Sequence, residues 1–216
     1  MMATLGPLVC IRSPLVGGRH LLGRRYSMAG PIGARGDRYC TSPDGIMKLV
    51  TFEAVVRALN EAAVRYVVAG GLAVNAHGYL RLTADIDLVV ALDSPNVIRT
   101  FAALTTVGYR PLVPVTAQQF ADAELRQQWI DQKGMQVLNF FSDMHPETPL
   151  DVFVYEPFDF DAEFATALKG EVLPGLEARF VSIPALIAMK QTANRPKDID
   201  DIQHLRWILE EQNESE

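Results

Sequence analysis

Beyond residue 47 the apolar positions fall into a regular order. Phe52, Val55, Val56, Leu59 and Ala63 recur at helical spacing, which predicts an amphipathic helix. Tyr66 to Ala69 is a short apolar run and predicts a strand. Gly70-Gly71 ends it and turns the chain into a short helix that closes near Gly78, a residue suited to a C-terminal cap. Ile86 to Ala91 predicts a second strand. Ser94-Pro95 reads as an N-cap followed by proline in the first turn, and Val97, Ile98, Phe101 and Leu104 give that helix its apolar face until Gly108. Thr116 and Gln119 form a capping box for a polar helix reaching about Gln128. Val137–Phe141 and Leu150–Val154 predict further strands, and Phe180-Val181 one more. Ser182 caps a helix to about Ala193, and Pro196 opens a last one carrying Ile199, Ile202, Leu205 and Leu209. The sum is an α+β chain: a small mixed-sheet core over residues 47–181, then a helical segment over 182–216 that packs on it.

Residues 1–46 follow no such order. Residues 1–45 hold eight of the 15 glycines, and no acid precedes Asp37. This composition predicts a disordered extension or an over-early start, with Met28 or Met47 as the working one. A transit peptide would share the arginine-rich, acid-poor character, whereas Arg12 and His20 interrupt any signal-peptide core.

Charge sharpens the division. The net charge is -6, but six of the 20 Lys+Arg and only two of the 26 Asp+Glu lie in residues 1–46, leaving 14 against 24 beyond them. That acidic body argues against broad wrapping of nucleic acid, though not against a local basic groove. Both cysteines, Cys10 and Cys40, lie in the extension, so the rest holds neither a disulfide framework nor a thiolate zinc site. No apolar run reaches the roughly 18 residues of a membrane helix. A cytoplasmic location with no membrane partner is the expectation.

The chemistry concentrates between Tyr66 and Val90. Asp85 and Asp87 stand two apart at the mouth of an apolar run, a spacing that puts both carboxylates on one face of a strand. Two acids so placed can share divalent cations, and a glycine pair opening a helix offers bare N–H groups to phosphate. If the stretch before them is extended, Arg81 and Thr83 share their face, where Arg81 meets a phosphate and Thr83 orders the loop or contacts nucleotide. His77, before Gly78, is expected to satisfy backbone groups at a helix end. Divalent cations held by two acids, a phosphate on bare N–H groups and an acceptor hydroxyl make up nucleotidyl transfer, which asks for a third carboxylate on a neighbouring strand to lean on that hydroxyl. Asp151 in Leu150-Asp151-Val152-Phe153-Val154 is the candidate, because an acid heading an apolar strand is costly unless paired or metal-bound. Asp143 is the alternative, in a loop-like setting. Lys190 follows Ile183, Leu186 and Ile187 on its helix and is placed to reach across a cleft.

The wording GGLAVNAHGYLRLTADIDL resembles the signature of the nucleotidyltransferase superfamily, the DNA polymerase β-like fold: Gly-Gly or Gly-Ser, then Asp-x-Asp. Within it the stretch is similar to the branch of AbiEii-like toxins of type IV toxin–antitoxin systems. Lys190 and Arg195 resemble that branch's Lys-x(4–5)-Arg motif, and Lys197, Asp198 and Asp201 its Lys-Asp-x-x-Asp. The resemblance implies a triphosphate on Gly70, Gly71, Lys190 and Arg195, with Asp198 orienting Lys190 or acting beside it. It implies Mg²⁺ or Mn²⁺ on Asp85, Asp87 and Asp151, an NTP substrate, an RNA acceptor such as a tRNA 3′ end, and room for a cognate antitoxin as partner. Residues 109–149 carry no recognised motif and would help choose the acceptor. Two other readings stay open: the same chemistry on a small molecule or protein, and a non-catalytic nucleotide- or partner-binding module.

Overall fold

A computed structural model describes residues Leu49–Glu214. The expectations for residues 1–46, including both cysteines, lie outside them. Helix α1 (Leu49–Glu61) buries Phe52, Val55, Val56 and Leu59, the predicted stripe. Ala63 does not extend it: the residue takes a left-handed conformation (φ 49°) in the turn that follows. Strand β1 (Tyr66–Val68) leads through helix α2 (Gly70–Ala76) and an irregular segment into β2 (Ile86–Val90).

Helix α3 (Ser94–Thr106) starts one residue differently from the prediction. Asp93, not Ser94, is its N-cap, accepting from the Asn96 N–H at 2.9 Å. Its inner face also differs, because Ile98 is exposed while Asn96 and Thr100 are buried. Burial is tolerable for Asn96 because its amide donates to the Arg65 and Ala91 carbonyls and accepts from the Arg65 N–H. Strand β3 (Arg110–Pro111) precedes two helices where one polar helix was expected. The capping box of Thr116 and Gln119 opens α4 (Ala117–Ala121), and Asp122 then caps α5 (Ala123–Lys133).

Strands β4 (Val137–Phe141) and β5 (Leu150–Phe153) match the apolar runs. Helix α6 (Phe160–Thr166) and β6 (Leu168–Leu173) were not predicted, and Phe180 is the end of β7 (Leu176–Phe180). Ser182 caps α7 (Ile183–Ala193) as expected, and α8 (Pro196–Glu214) follows. On α8 Leu205 is buried, but Ile199 is largely exposed and no part of an apolar face.

The described strands form one seven-stranded mixed sheet in the order β3-β4-β5-β2-β1-β7-β6. β2 lies near its centre, antiparallel to β1 and parallel to β5. Phe101 of α3 meets Phe140 of β4 edge-on, 5.2 Å between ring centres, so α3 covers one face of that end of the sheet. On the other face Asp87 and Asp151 line an open cleft, to which α7 and α8 also contribute residues. The α+β expectation, a mixed sheet followed by C-terminal helices, agrees with this architecture. None of the described helices is long and apolar enough to cross a membrane.

Candidate active site

Register brings the distant acids together. β2 and β5 are parallel, and Asp87 is the direct partner of Asp151 across them. On both strands the flanking residues, Ile86 and Leu88, Leu150 and Val152, are fully buried, which turns the two aspartates to the opposite, open face. Asp85 precedes β2 by one residue and lies near enough to bear electrostatically on both. The consequence shows in their acidity. Burial, then the charges of Asp151 and Asp85, push the Asp87 carboxyl up to about 6, against a smaller pull from Arg195 and Lys190. Asp151 is also raised, chiefly by burial and further by Asp85, while a hydrogen bond from Asn139 and the charge of Arg195 work the other way.

The glycines are set against this cluster. Gly70 has φ +61°, and a Cβ there would fall 1.8 Å from Asp87 Oδ2. A Cβ on Gly71 would fall 2.5 Å from Thr83 Oγ1 and 2.9 Å from Arg81 Nη2. Both positions therefore need glycine for space, and Gly70 for its backbone as well.

The opposite wall comes from α7 and α8. Lys190 is only 6% exposed, and its Nζ donates to Asp198 Oδ1 at 3.2 Å and to Asp201 Oδ2 at 2.7 Å. Asp201 also pairs through Oδ1 with Arg81 Nε at 2.9 Å. Asp198 Oδ2 in turn accepts the Arg195 N–H at 3.2 Å. Two cations and two anions thus form a closed, formally neutral cluster. Arg195 and Lys197 are the exposed cations on this wall.

The ten residues expected to hold metal or triphosphate or to take part in the chemistry line one open cleft: Gly70, Gly71, Arg81, Thr83, Asp85, Asp87, Asp151, Lys190, Arg195 and Asp198. Lys197, Phe153, Leu186, Met189 and Ala193 complete its walls. His77 lies elsewhere, its Nε2 donating to the Val181 carbonyl at 2.7 Å. Asp143 sits in the loop after β4 and pairs with Arg110 at 2.7 Å, away from the other acids. Sequence reasoning assigned no role to Asp201 or Asn139. Asn139 carried one usable signal: a polar side chain between Leu138 and Phe140 in the middle of an apolar strand.

Among the described residues no group of three or more His, Cys, Asp or Glu is drawn tightly enough to cage a metal ion alone. The donor set nevertheless suits a hard cation. Magnesium takes one or two carboxylates and completes its shell with water and substrate phosphate. A cation between Asp85, Asp87 and Asp151 would also relieve the like-charge crowding that raises Asp87.

No family model and no curated protein matches this chain. Solved structures with a similar course of chain include the antibiotic-resistance factor ANT(2'')-Ia in solution, with 18% identity and a TM-score of 0.49 over 74% of this chain and 83% of that one. They include a crystal structure of ANT(2'')-Ia with adenylyl-2''-tobramycin, at 18% identity and a TM-score of 0.49 over 74% and 88%. The lincomycin-bound lincosamide antibiotic adenylyltransferase LnuA has 14% identity and a TM-score of 0.48 over 76% and 99%. At these values the likeness transfers neither activity nor substrate, and the functional reading rests on the cleft itself.

Proposed function

We propose that this chain is a metal-dependent nucleotidyltransferase, moving NMP from an NTP to an acceptor hydroxyl and releasing pyrophosphate. The observation that carries this is the in-register pair Asp87 and Asp151, which line one cleft with Asp85 and with the exposed cations Arg195 and Lys197. Asp85 and Asp87, with Asp151 beside them, would hold Mg²⁺ or Mn²⁺. When bound, the metal supplies charge neutralisation at the α-phosphate and the departing pyrophosphate. Gly70 and Gly71 leave the backbone bare toward the phosphates. Arg195 and Lys197, exposed and lining the cleft, meet the triphosphate charge. Lys190 holds Asp198 and Asp201 in place rather than presenting an uncompensated charge. Asp151 leans on the acceptor and receives the proton of its hydroxyl. Positioning and fixed charge account for most of the rate in such a reaction.

The resemblance makes an RNA 3′ end the first acceptor to try, and a cytoplasmic toxin with a cognate antitoxin its setting. A small-molecule hydroxyl is the second reading. It is supported by the charge balance beyond residue 46, 14 Lys+Arg against 24 Asp+Glu, which gives an RNA chain little to follow beyond the cleft.

The test incubates the full chain with Mg²⁺ or Mn²⁺, each α-labelled NTP and total cellular RNA, with Asp87→Ala as blank. Label on a discrete RNA band with wild type alone supports the first acceptor. Pyrophosphate released with no RNA labelled moves the acceptor to a small molecule or protein. No metal binding and no turnover with any NTP would sink the enzymatic reading and leave a binding module.

A further inference from the structure

Asn139 lies one strand beyond the residues that line the cleft, yet it belongs to the same row. β4 and β5 are antiparallel with Asn139 directly opposite Asp151, and β5 and β2 are parallel with Asp151 beside Asp87. Directly paired residues share a sheet face. Asp87, Asp151 and Asn139 therefore stand side by side across three neighbouring strands. Their flanking residues are turned the other way: Leu138 and Phe140, like those of the two acids, are buried.

The contact within the row is short and has one sense. Asn139 Nδ2 donates to Asp151 Oδ1 at 2.7 Å. A carboxylate only accepts, so the amide nitrogen must be the atom facing it. Asn139 is itself held in place: its carbonyl accepts the Leu112 N–H at 2.8 Å, which ties β4 to the segment after β3. The amide thus sits on a backbone fixed from both sides. Asn is disfavoured in the interior of a strand, and its side chain here is exposed, so neither strand propensity nor core packing explains it.

We infer that Asn139 is a positioning residue for the proposed transfer site, pinning Oδ1 of Asp151 so that its other oxygen is aimed at the metal and the acceptor. This rests on the nucleotidyltransferase reading. A carboxylate on a strand rotates about two side-chain bonds, and one strong, fixed hydrogen bond removes most of that freedom. Without the amide, Asp151 must be ordered each time a cation binds. The pin involves no group of the NTP, so removing it should alter metal affinity and acceptor turnover while NTP affinity stays put.

The test uses the full chain and Mn²⁺ as probe, with affinity read by electron paramagnetic resonance and folding by thermal melting in chelator. Asn139→Leu is expected to keep the wild-type melting temperature and bind Mn²⁺ about 10- to 100-fold more weakly, the range seen when a hydrogen-bond partner of a metal-binding carboxylate is lost. Asn139→Gln, which keeps an amide donor, should recover part of that loss. In turnover with any acceptor found, Asn139→Leu should lower kcat with the KM for NTP unchanged. Mn²⁺ affinity equal to wild type in Asn139→Leu would overturn the pin. Asp87→Ala separates the two levels. If it abolishes Mn²⁺ binding while Asn139→Leu is silent, only the pin fails; if it binds Mn²⁺ like wild type, the metal site and the pin fail together.

Discussion

Asp201 binds Lys190 and Arg81 through different oxygens, 2.7 Å from Lys190 Nζ and 2.9 Å from Arg81 Nε. One side chain on α8 thereby ties α7 to the segment leading into Asp85. Asp201 is almost wholly buried, and so is Lys190. Removing one partner of a buried ion pair leaves a charge uncompensated and costs about 3–5 kcal/mol. Asp201→Asn is therefore expected to lower the melting temperature by roughly 10 °C for a domain of this size. Asp198→Asn should cost less, because Lys190 keeps its shorter contact with Asp201. Equal, small losses in both variants would show that the cluster is not what joins the two walls.

A second prediction concerns the acids themselves. The Asp87 carboxyl is raised to about 6 by burial and by its two acidic neighbours. A raised acid binds its proton more tightly folded than unfolded. Its contribution is fully present below the ordinary carboxylate range and is lost as pH rises through about 6. Above that pH, with no metal, Asp87 is a liability. Asp87→Asn should then melt higher than wild type in chelator at pH 7.5, by about 1–3 kcal/mol in stability. The order should reverse in Mg²⁺ or Mn²⁺, which wild type alone would bind. A lower melting temperature for Asp87→Asn in chelator would contradict the crowding.

The two glycines should fail in different ways. At Gly70 an alanine meets both a left-handed backbone and the Asp87 carboxylate at 1.8 Å, so Gly70→Ala should lose about 2–4 kcal/mol and displace Asp87. Gly71 has no such backbone demand, but its Cβ would fall 2.8 Å from Thr83 Cβ and 2.9 Å from Arg81 Nη2, so both side chains must yield. Gly71→Ala should fold, with a smaller loss of melting temperature than Gly70→Ala, and bind a fluorescent ATP analogue at least several-fold more weakly. Circular dichroism and that titration, run side by side, separate a fold defect from a cleft defect. Wild-type nucleotide affinity in Gly71→Ala would place the phosphates elsewhere.

These contrasts show which parts of the molecule local pattern can reveal. Strands such as Ile86–Val90 and Leu150–Phe153 stand out because, Asp87 and Asp151 apart, they are wholly apolar, with Ile86 and Leu88, Leu150 and Val152 buried on one face. The hairpin of Leu168–Leu173 and Leu176–Phe180 lies at the sheet edge, where Lys169, Glu171, Glu177 and Arg179 dilute the pattern, and only Phe180 was visible. The acids were legible because a carboxylate at the head of an apolar run has few inexpensive explanations. Asp201 was visible only as a motif residue and Asn139 only as a polar break in its strand, since what each contacts lies in helix packing and strand register. Asn139 meets Asp151 twelve residues away, and Asp201 meets Arg81 across much of the chain.

The last prediction uses His77, whose acidity runs opposite to that of Asp87. Burial lowers its pKa below the usual imidazole value, outweighing the hydrogen bond to the Val181 carbonyl and the charge of Glu163, which both favour protonation. The unfolded chain then takes up a proton here before the folded one does. Stability associated with His77 is present above about pH 6.5 and declines as pH falls below it. Over the same range Asp87 gains, so the wild-type profile is a difference of two slopes. His77→Gln removes one of them and keeps a donor for Val181. In chelator, its stability relative to wild type should improve steadily as pH falls from 7 to 5, read from denaturant midpoints across that series. A constant difference would mean that His77 is protonated equally in both states, and that its bond to Val181 outweighs its burial.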